Sequence, residues 1–296
     1  MDRRDFLSLT AVGAGAVIVS GLSGCASMSG MDKAESKGFY FVQLSDIHWG
    51  YKGPDNPDSA VTLGKAVATV NALEVQPEFI VFTGDLTHTT DDAAERRRRM
   101  AQFKSIVADL RVRDIHFMPG EHDASLDRGA AFQEYFGATH YTFDYGGVHF
   151  LVLDNVSDPG AKIGDEQLAW MAADLAKFDK AAPIVVLTHR PLFDLAPKWD
   201  WATRDGAKAL QTLMPYQNVT VFYGHIHQEH HHMTGHIAHH SSKSLIFPLP
   251  APGSQEKRTP LPWDPAMPYR GLGFREVDAN PRTASFEIKE FGVVRA

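Results

Sequence analysis

The chain has 296 residues, 44% hydrophobic and 22% charged, enough to bury a full core as one large domain or two small ones. A net charge of −7 and a pI near 6.1 argue against broad nucleic-acid binding, leaving room only for a local basic patch. The single cysteine, Cys25, excludes an internal disulfide framework and any multi-thiolate metal site, so metal ligands must come from His, Asp, Glu and Asn.

Taken in order, the chain begins with Asp2-Arg3-Arg4-Asp5-Phe6-Leu7, which resembles a twin-arginine export motif. An Ala- and Gly-rich apolar stretch over 9–22 follows, too short and too small-residued to read as a membrane span. It ends in Leu22-Ser23-Gly24-Cys25, which resembles a bacterial lipobox, where the cysteine becomes the lipidated first residue. An uncleaved anchor and plain secretion are the simpler readings; the place of the only cysteine favours lipidation at Cys25. The expectation is a lipoprotein signal over 1–24, a polar tether over 25–37 and a folded domain over 38–296. The protein would then be exported to the periplasm or cell envelope and held to the membrane by its lipid.

Strands and helices then alternate. Phe39–Leu44 reads as a buried strand, and a helix near 58–75 carries Val61, Ala66, Val70 and Leu73 on one stripe. The strand Phe79–Thr83 precedes a helix near 91–110 with Met100, Phe103, Val107 and Leu110 facing inward. Residues 114–118 form a strand and 127–136 a helix; Gly146-Gly147 joins Tyr141–Tyr145 to 148–153 as a hairpin. A helix over 165–178 leads to buried strands at 184–187 and 219–222. Shorter antiparallel strands are predicted at 228–234, 237–240, 244–247, 273–277 and 285–291. The loops 191–206 and 248–268 both follow strands that end at the same place; each either walls a site there or is a surface connection stiffened by proline.

Five of the buried runs deliver Asp, Glu or His at the carboxyl end. They lead into Asp46-Ile47-His48, Gly84-Asp85, Pro119-Gly120-Glu121-His122-Asp123, Thr188-His189 and Gly224-His225-Ile226-His227. Such an array looks like a metal centre at one edge of a sheet. Asp46, His48, Asp85, His189, His225 and His227 are enough for two ions sharing one carboxylate. Two such ions about 3.5–4 Å apart can clamp a phosphoryl group and acidify a water for in-line attack. No Ser or Cys nucleophile is needed, and no Gly-x-Ser-x-Gly elbow is present.

The order Asp-x-His, Gly-Asp, Gly-Glu-His-Asp, His, Gly-His-x-His resembles the calcineurin-like metallophosphoesterase family, from Phe39 to Phe291, and within it the bacterial cyclic-nucleotide phosphodiesterase-like branch. The resemblance implies an α/β fold, a four-layer α/β/β/α sandwich of two mixed β-sheets flanked by helices. It also implies two divalent or trivalent transition-metal ions (Mn, Fe or Zn), a metal-bridging hydroxide as nucleophile, and a small-molecule phosphoester substrate. Asp46, His48 and His227 would hold one ion, His189 and His225 the other, with Asp85 bridging. His122 would protonate or stabilise the leaving group, and Asp123 would orient its imidazole. The family usually has Asn where this chain has Glu121, which adds a negative charge. We expect Glu121 to ligate the second metal and to shift metal preference or rate; a degenerate, weakly catalytic metal-binding lipoprotein is the alternative.

Other features have plainer readings. Arg190, next to His189, either touches a substrate phosphate or forms a rim salt bridge. Arg96–Arg99 reads as a solvated helix face. Residues His230, His231, His232, His236, His239 and His240 read as a polar sheet edge, His88 and His149 as structural, and His116 as packed. Asp154 and Asn155 fit either a supporting role behind the ligands or a simple turn.

Overall fold

The structure, a computed structural model, describes residues 38–294; the expected signal, tether and Cys25 lie outside the described residues. Eleven strands form two mixed sheets. The five-stranded sheet runs β11-β10-β1-β2-β3, with β1 (Phe39–Leu44), β2 (Phe79–Thr83), β3 (Ile115–Met118), β10 (Gly273–Asn280) and β11 (Ser285–Gly292). The six-stranded sheet runs β4-β5-β6-β7-β9-β8. Its strands are β4 (Tyr141–Tyr145), β5 (Val148–Val152), β6 (Pro183–Leu187), β7 (Asn218–Tyr223), β8 (His230–Thr234) and β9 (Ile237–Ser241). β1, β2 and β3 are mutually parallel, as are β5, β6, β7 and β9.

The layering follows from the side-chain alternation of a strand. In β1, Phe39 and Phe41 join Phe79, Val81, Phe150, Val185 and Phe222 in a core between the two sheets. Tyr40, Val42 and Leu44 point the other way, toward helices α1 (Ser59–Asn71), α2 (Ala93–Val107) and, beyond the short α3 (Glu121–Ala124), α4 (Ala130–Phe136). Leu151, Ile184, Val186 and Val221 do the same toward α5 (Asp165–Leu175) and α6 (Gly206–Leu213). Strands covered on both faces need apolar residues at every position, and this is why these runs read as continuous rather than alternating. The rings of Phe41 and Phe79 stack at 4.9 Å, and the Phe150 ring meets both edge-on at 6.0 and 5.5 Å. The result is the expected four-layer α/β/β/α sandwich.

Several boundaries differ from expectation. α1 stops at Asn71, and its buried stripe is Leu63, Ala66, Val67 and Val70, whereas Val61 is exposed. Residues 244–247 are not a strand. Their carbonyls serve side chains instead: Ile246 O accepts from Asn56 Nδ2, and Phe247 O accepts from Ser244 Oγ and from an imidazole described below. β9, expected in an antiparallel set, is antiparallel only to β8 and lies parallel to β7. Arg96 is not solvated. It falls on the stripe Arg96, Met100, Phe103, Val107 of α2, and its buried guanidinium pairs with Asp127 at 2.8 Å. Arg97 pairs with Glu134, and Arg98 and Arg99 share Glu95.

Among the described residues no helix is long and apolar enough to cross a membrane.

Candidate metal centre

The loops that follow β1 and β2 lie side by side. Asp46 N donates to Gly84 O, Ile47 N and His48 N both donate to Asp85 O, and Trp49 N donates to Leu86 O, at 2.8–3.1 Å. Within these loops and the one after β7, Asp46, His48, Asp85, His225 and His227 all have φ between 48° and 65°. Only four other non-glycine described residues share that left-handed backbone, so the strain is concentrated at the strand ends. Each such residue costs on the order of 1–3 kcal/mol and persists only where its surroundings enforce it. Here the left-handed step turns each side chain off its strand axis toward a common centre.

Glycines make the close approach possible. A Cβ on Gly84 (φ +93°) would lie 2.4 Å from His189 Nδ1, and one on Gly120 would lie 2.1 Å from Asp85 Oδ1.

Three groups of ligand-type side chains lie close enough to share an ion: His48 with His88 and His122, and the two that hold the expected ligands, Asp46 with His48 and His227, and Asp85 with Glu121, His189 and His225. Asp85 joins them: its Oδ1 accepts from His122 N at 2.9 Å, while Oδ2 lies 3.4 Å from both His48 Nε2 and His189 Nε2. His227 Nε2 is 3.3 Å from His48 Nε2 and 3.4 Å from Asp46 Oδ1. Glu121 reaches His225 Nδ1 at 2.8 Å and His189 Nε2 at 2.9 Å. The backbone N–H of His225 donates to both Asp46 oxygens, fastening the β7 loop to the β1 loop.

The donor set fits cations. His189 Nδ1–H donates to Thr83 O at 2.7 Å and His227 Nδ1–H to Phe247 O at 2.9 Å, so in each neutral ring Nε2 carries the free lone pair. His189 Nε2 and Glu121 Oε2 are buried and face each other at 2.9 Å, close enough to share a proton. A cation bound by both atoms would take that proton's place. Burial, with His122, His227 and His88 nearby, holds His48 well below the usual imidazole range. Burial lowers His225 as well. For His189 burial alone would act downward, but Asp85 and Glu121 hold it well above its ordinary value. Burial would likewise raise Asp46 and Glu121, yet the facing imidazoles keep both carboxyls low, Glu121 strongly so. Three carboxylates and four imidazoles therefore attract positive charge into a buried volume.

The structure reassigns two supporting roles. Asp123 does not orient the His122 ring. Its carboxylate accepts from Leu86 N, Thr87 N, Thr87 Oγ1 and Gly120 N, at 2.8–3.0 Å, and so clamps the loop that carries Asp85. Burial and the Asp85 charge push its carboxyl up to about 6 against the pull of those amides. Thr89 orients His122 instead, through Oγ1 at 2.7 Å and its N–H at 3.2 Å, both to Nδ1. An acceptor Nδ1 leaves the proton of the neutral ring on Nε2. His88 belongs to the site: its Nδ1 is 3.2 Å from His48 Nδ1, and its ring stacks on His122 at 4.9 Å. Thr89 and His88 follow Gly84-Asp85 in sequence, but their register against the β1 loop carries no sequence signal.

Arg190 points its guanidinium at the carbonyls of Asp200 and Ala202 and so pins the loop 191–206. That loop buries Trp199 and Trp201 against Tyr223 and Ile226. Asn155 bonds Arg190 O and Thr203, a supporting role, and Asp154 caps the turn at Val156 and Ser157. His149 sits between Asp144 and Asp174 at 2.7 Å from each, and His116 stacks on Phe143, both away from the centre. In the His-rich strand pair, His230, His232 and the buried His239 share a face under Phe193, with His231 and His240 on the other.

Fold and site together define a class: an α/β sandwich presenting a cluster of candidate metal ligands at the carboxyl ends of its parallel strands. The chain belongs to the calcineurin-like phosphoesterase family, whose model matches residues 39–229. It is 29% identical over 184 residues to the serine/threonine-protein phosphatase CPPED1 of Danio rerio, covering 54% of this chain and 59% of that one. It is 28% identical over 204 residues to a probable cyclic nucleotide phosphodiesterase of Rhodococcus erythropolis, covering 64% of each. The chain thus spans about three-fifths of the length of these relatives. Among solved structures, a dimetal phosphatase from Danio rerio superposes with a TM-score of 0.60 at 17% identity, covering 86% of this chain and 96% of that one. The purple acid phosphatase PPD1 of yellow lupin gives 0.62 at 17% identity, with 86% and 52% covered. These two likenesses establish the fold.

Proposed function

We propose that the protein hydrolyses phosphoester bonds of small molecules at two cations held by Asp46, His48 and His227 on one side and Glu121, His189 and His225 on the other, with Asp85 between. The observation that carries this reading is Asp85 Oδ2, equidistant at 3.4 Å from His48 Nε2 and His189 Nε2. When bound, the cations, of Mn, Fe or Zn type, supply charge stabilisation for the phosphoryl oxygens and a hydroxide source at neutral pH.

The protein's own groups do the rest. The water oxygen bonds to phosphorus as the ester P–O bond breaks; the departing alcohol oxygen accepts a hydrogen bond from His122 Nε2–H as its negative charge develops, and solvent supplies its proton. Thr89 holds that ring in the tautomer with its N–H at Nε2. Asp123 keeps Asp85 in place through the Leu86 and Thr87 amides. The names of the relatives, a protein phosphatase and a cyclic nucleotide phosphodiesterase, support the bond type and leave monoester and diester both in play.

Glu121 favours a second reading, a metal-binding protein with little turnover, because its third carboxylate lowers the positive charge left to attract an anionic substrate. Release of 4-nitrophenol from 4-nitrophenyl phosphate and its bis-ester, with Mn, Fe or Zn added, decides between the readings. We expect turnover of at least one ester and an altered rate or metal preference in Glu121→Asn. No turnover with any metal favours the second reading, and an unchanged Glu121→Asn variant removes any special role for the carboxylate.

The reading includes export by residues 1–24 and a lipid on Cys25, supported by the lipobox-like Leu22-Ser23-Gly24-Cys25. Cys25→Ser should move the protein from the membrane to the soluble fraction; unchanged fractionation refutes the anchor.

A further inference from the structure

A cavity of about 410 Å³ lies under the loop 248–268, lined by Phe247, Pro248, Leu261, Trp263, Met267 and Leu272 among others. That volume is within the range of about 300–1,000 Å³ typical of pockets for small organic ligands, and its lining is mostly apolar. Leu261 and Met267 are exposed, an unusual state for two large apolar side chains in one concavity. The indole N–H of Trp263 is buried and has no acceptor among the described residues.

Phe247 belongs both to this cavity and to the metal centre. Its carbonyl accepts from His227 Nδ1 at 2.9 Å. Its ring lies 5.0 Å from the His227 ring and 6.2 Å, nearly parallel, from the His48 ring. Tyr51 fixes it from a third side. The Tyr51 ring meets the Phe247 ring edge-on at 5.4 Å, and its hydroxyl donates to Asp55, another cavity residue, at 2.6 Å. The two spaces therefore share a rigid wall.

We infer that this cavity binds the organic group esterified to the phosphate, an aromatic group carrying a hydrogen-bond acceptor for Trp263 Nε1, while the phosphoryl group lies at the metal centre. The inference rests on the hydrolytic reading of that centre and adds its substrate class. An aromatic group matches the cavity because Phe247 and Trp263 offer ring faces and Leu261, Met267 and Leu272 offer apolar contact. The Trp263 N–H, costly to leave unpaired, selects for an acceptor on the ligand.

The test is calorimetric binding of two non-hydrolysable probes, phenylphosphonate and methylphosphonate, to the Mn-loaded full chain. Wild type should bind the phenyl probe at least about tenfold more tightly, in line with the discrimination that apolar pockets achieve. In Met267→Asp, a change at an exposed position that leaves the core intact, and in Trp263→Ala, the preference should fall to within about twofold. Equal binding of the two probes by wild type, or a preference that survives both substitutions, overturns the inference. The outcomes also separate this inference from the hydrolytic reading. A phenyl preference without turnover of any 4-nitrophenyl ester sinks the hydrolysis and keeps the cavity's role. Turnover without a phenyl preference does the reverse.

Discussion

The imidazole of His122 is fixed by a neighbour three residues past the first that follows Asp85. Thr89 occupies Nδ1 from both its amide and its hydroxyl, and that sets the proton on the side where a leaving oxygen needs it. His122→Ala should therefore lower kcat by about 10²–10³-fold while two ions stay bound, because the ring donates a hydrogen bond to the leaving oxygen and is not a ligand. Thr89→Val removes one hydrogen bond and should cost about threefold to tenfold in kcat, again at full metal content. Metal analysis beside steady-state kinetics checks both; loss of an ion in either variant would mean that these residues belong to the ligand set. Each proposed ligand was legible in the sequence because Asp, Glu and His at the ends of apolar runs are costly to bury unless something charged pairs with them. His88, Thr89 and the Phe247 carbonyl were not legible. Their roles depend on which atom faces which across loops far apart in sequence, and a carbonyl has no side-chain signature at all.

At the scale of the element, the strand ends are held in backbone that only tight surroundings enforce. Gly84 is the pivot, with φ +93° and His189 Nδ1 where a Cβ would go. Gly84→Ala should destabilise the fold by about 1–3 kcal/mol and displace His189, lowering metal affinity as well. Urea unfolding with and without Mn measures both terms; a variant with wild-type stability and metal content would show that the β2 loop is not under the constraint described. The strands themselves were the most readable part of the chain, since burial on both faces leaves a continuous apolar run. Helix ends were less so, because Leu73 and Leu110 stay packed in the same core after α1 and α2 have ended, so burial runs past the last helical turn. The mistaken strand at 244–247 has the same origin. Leu245-Ile246-Phe247 is apolar enough for a ladder, but its carbonyls are taken by Asn56, Ser244 and His227.

For the whole molecule, the two sheets meet over a phenylalanine-rich core, and their parallel strands point the same ends at one cleft. The cost of that arrangement is strained backbone and a buried set of three carboxylates, which the facing imidazoles offset in part and bound cations would offset further. Stripping metal by chelation should therefore lower Tm, by about 5–10 °C if the ions are supplied at about a hundred times their Kd. An unchanged Tm on readdition of Mn would mean that the cluster is stabilised without ions. Layer order was legible from the alternation of strands and helices. The parallel placement of β9 beside β7 was not, since a hairpin connection between β8 and β9 is compatible with either strand lying next to the sheet.

The most direct test of the central claim is anomalous scattering from crystals grown with Mn, collected at the Mn edge. The account predicts two peaks about 3.5–4 Å apart, one within bonding distance of Asp46, His48 and His227, the other of Glu121, His189 and His225, with Asp85 between them. A single peak, or ordered metal anywhere other than this cluster, would contradict it.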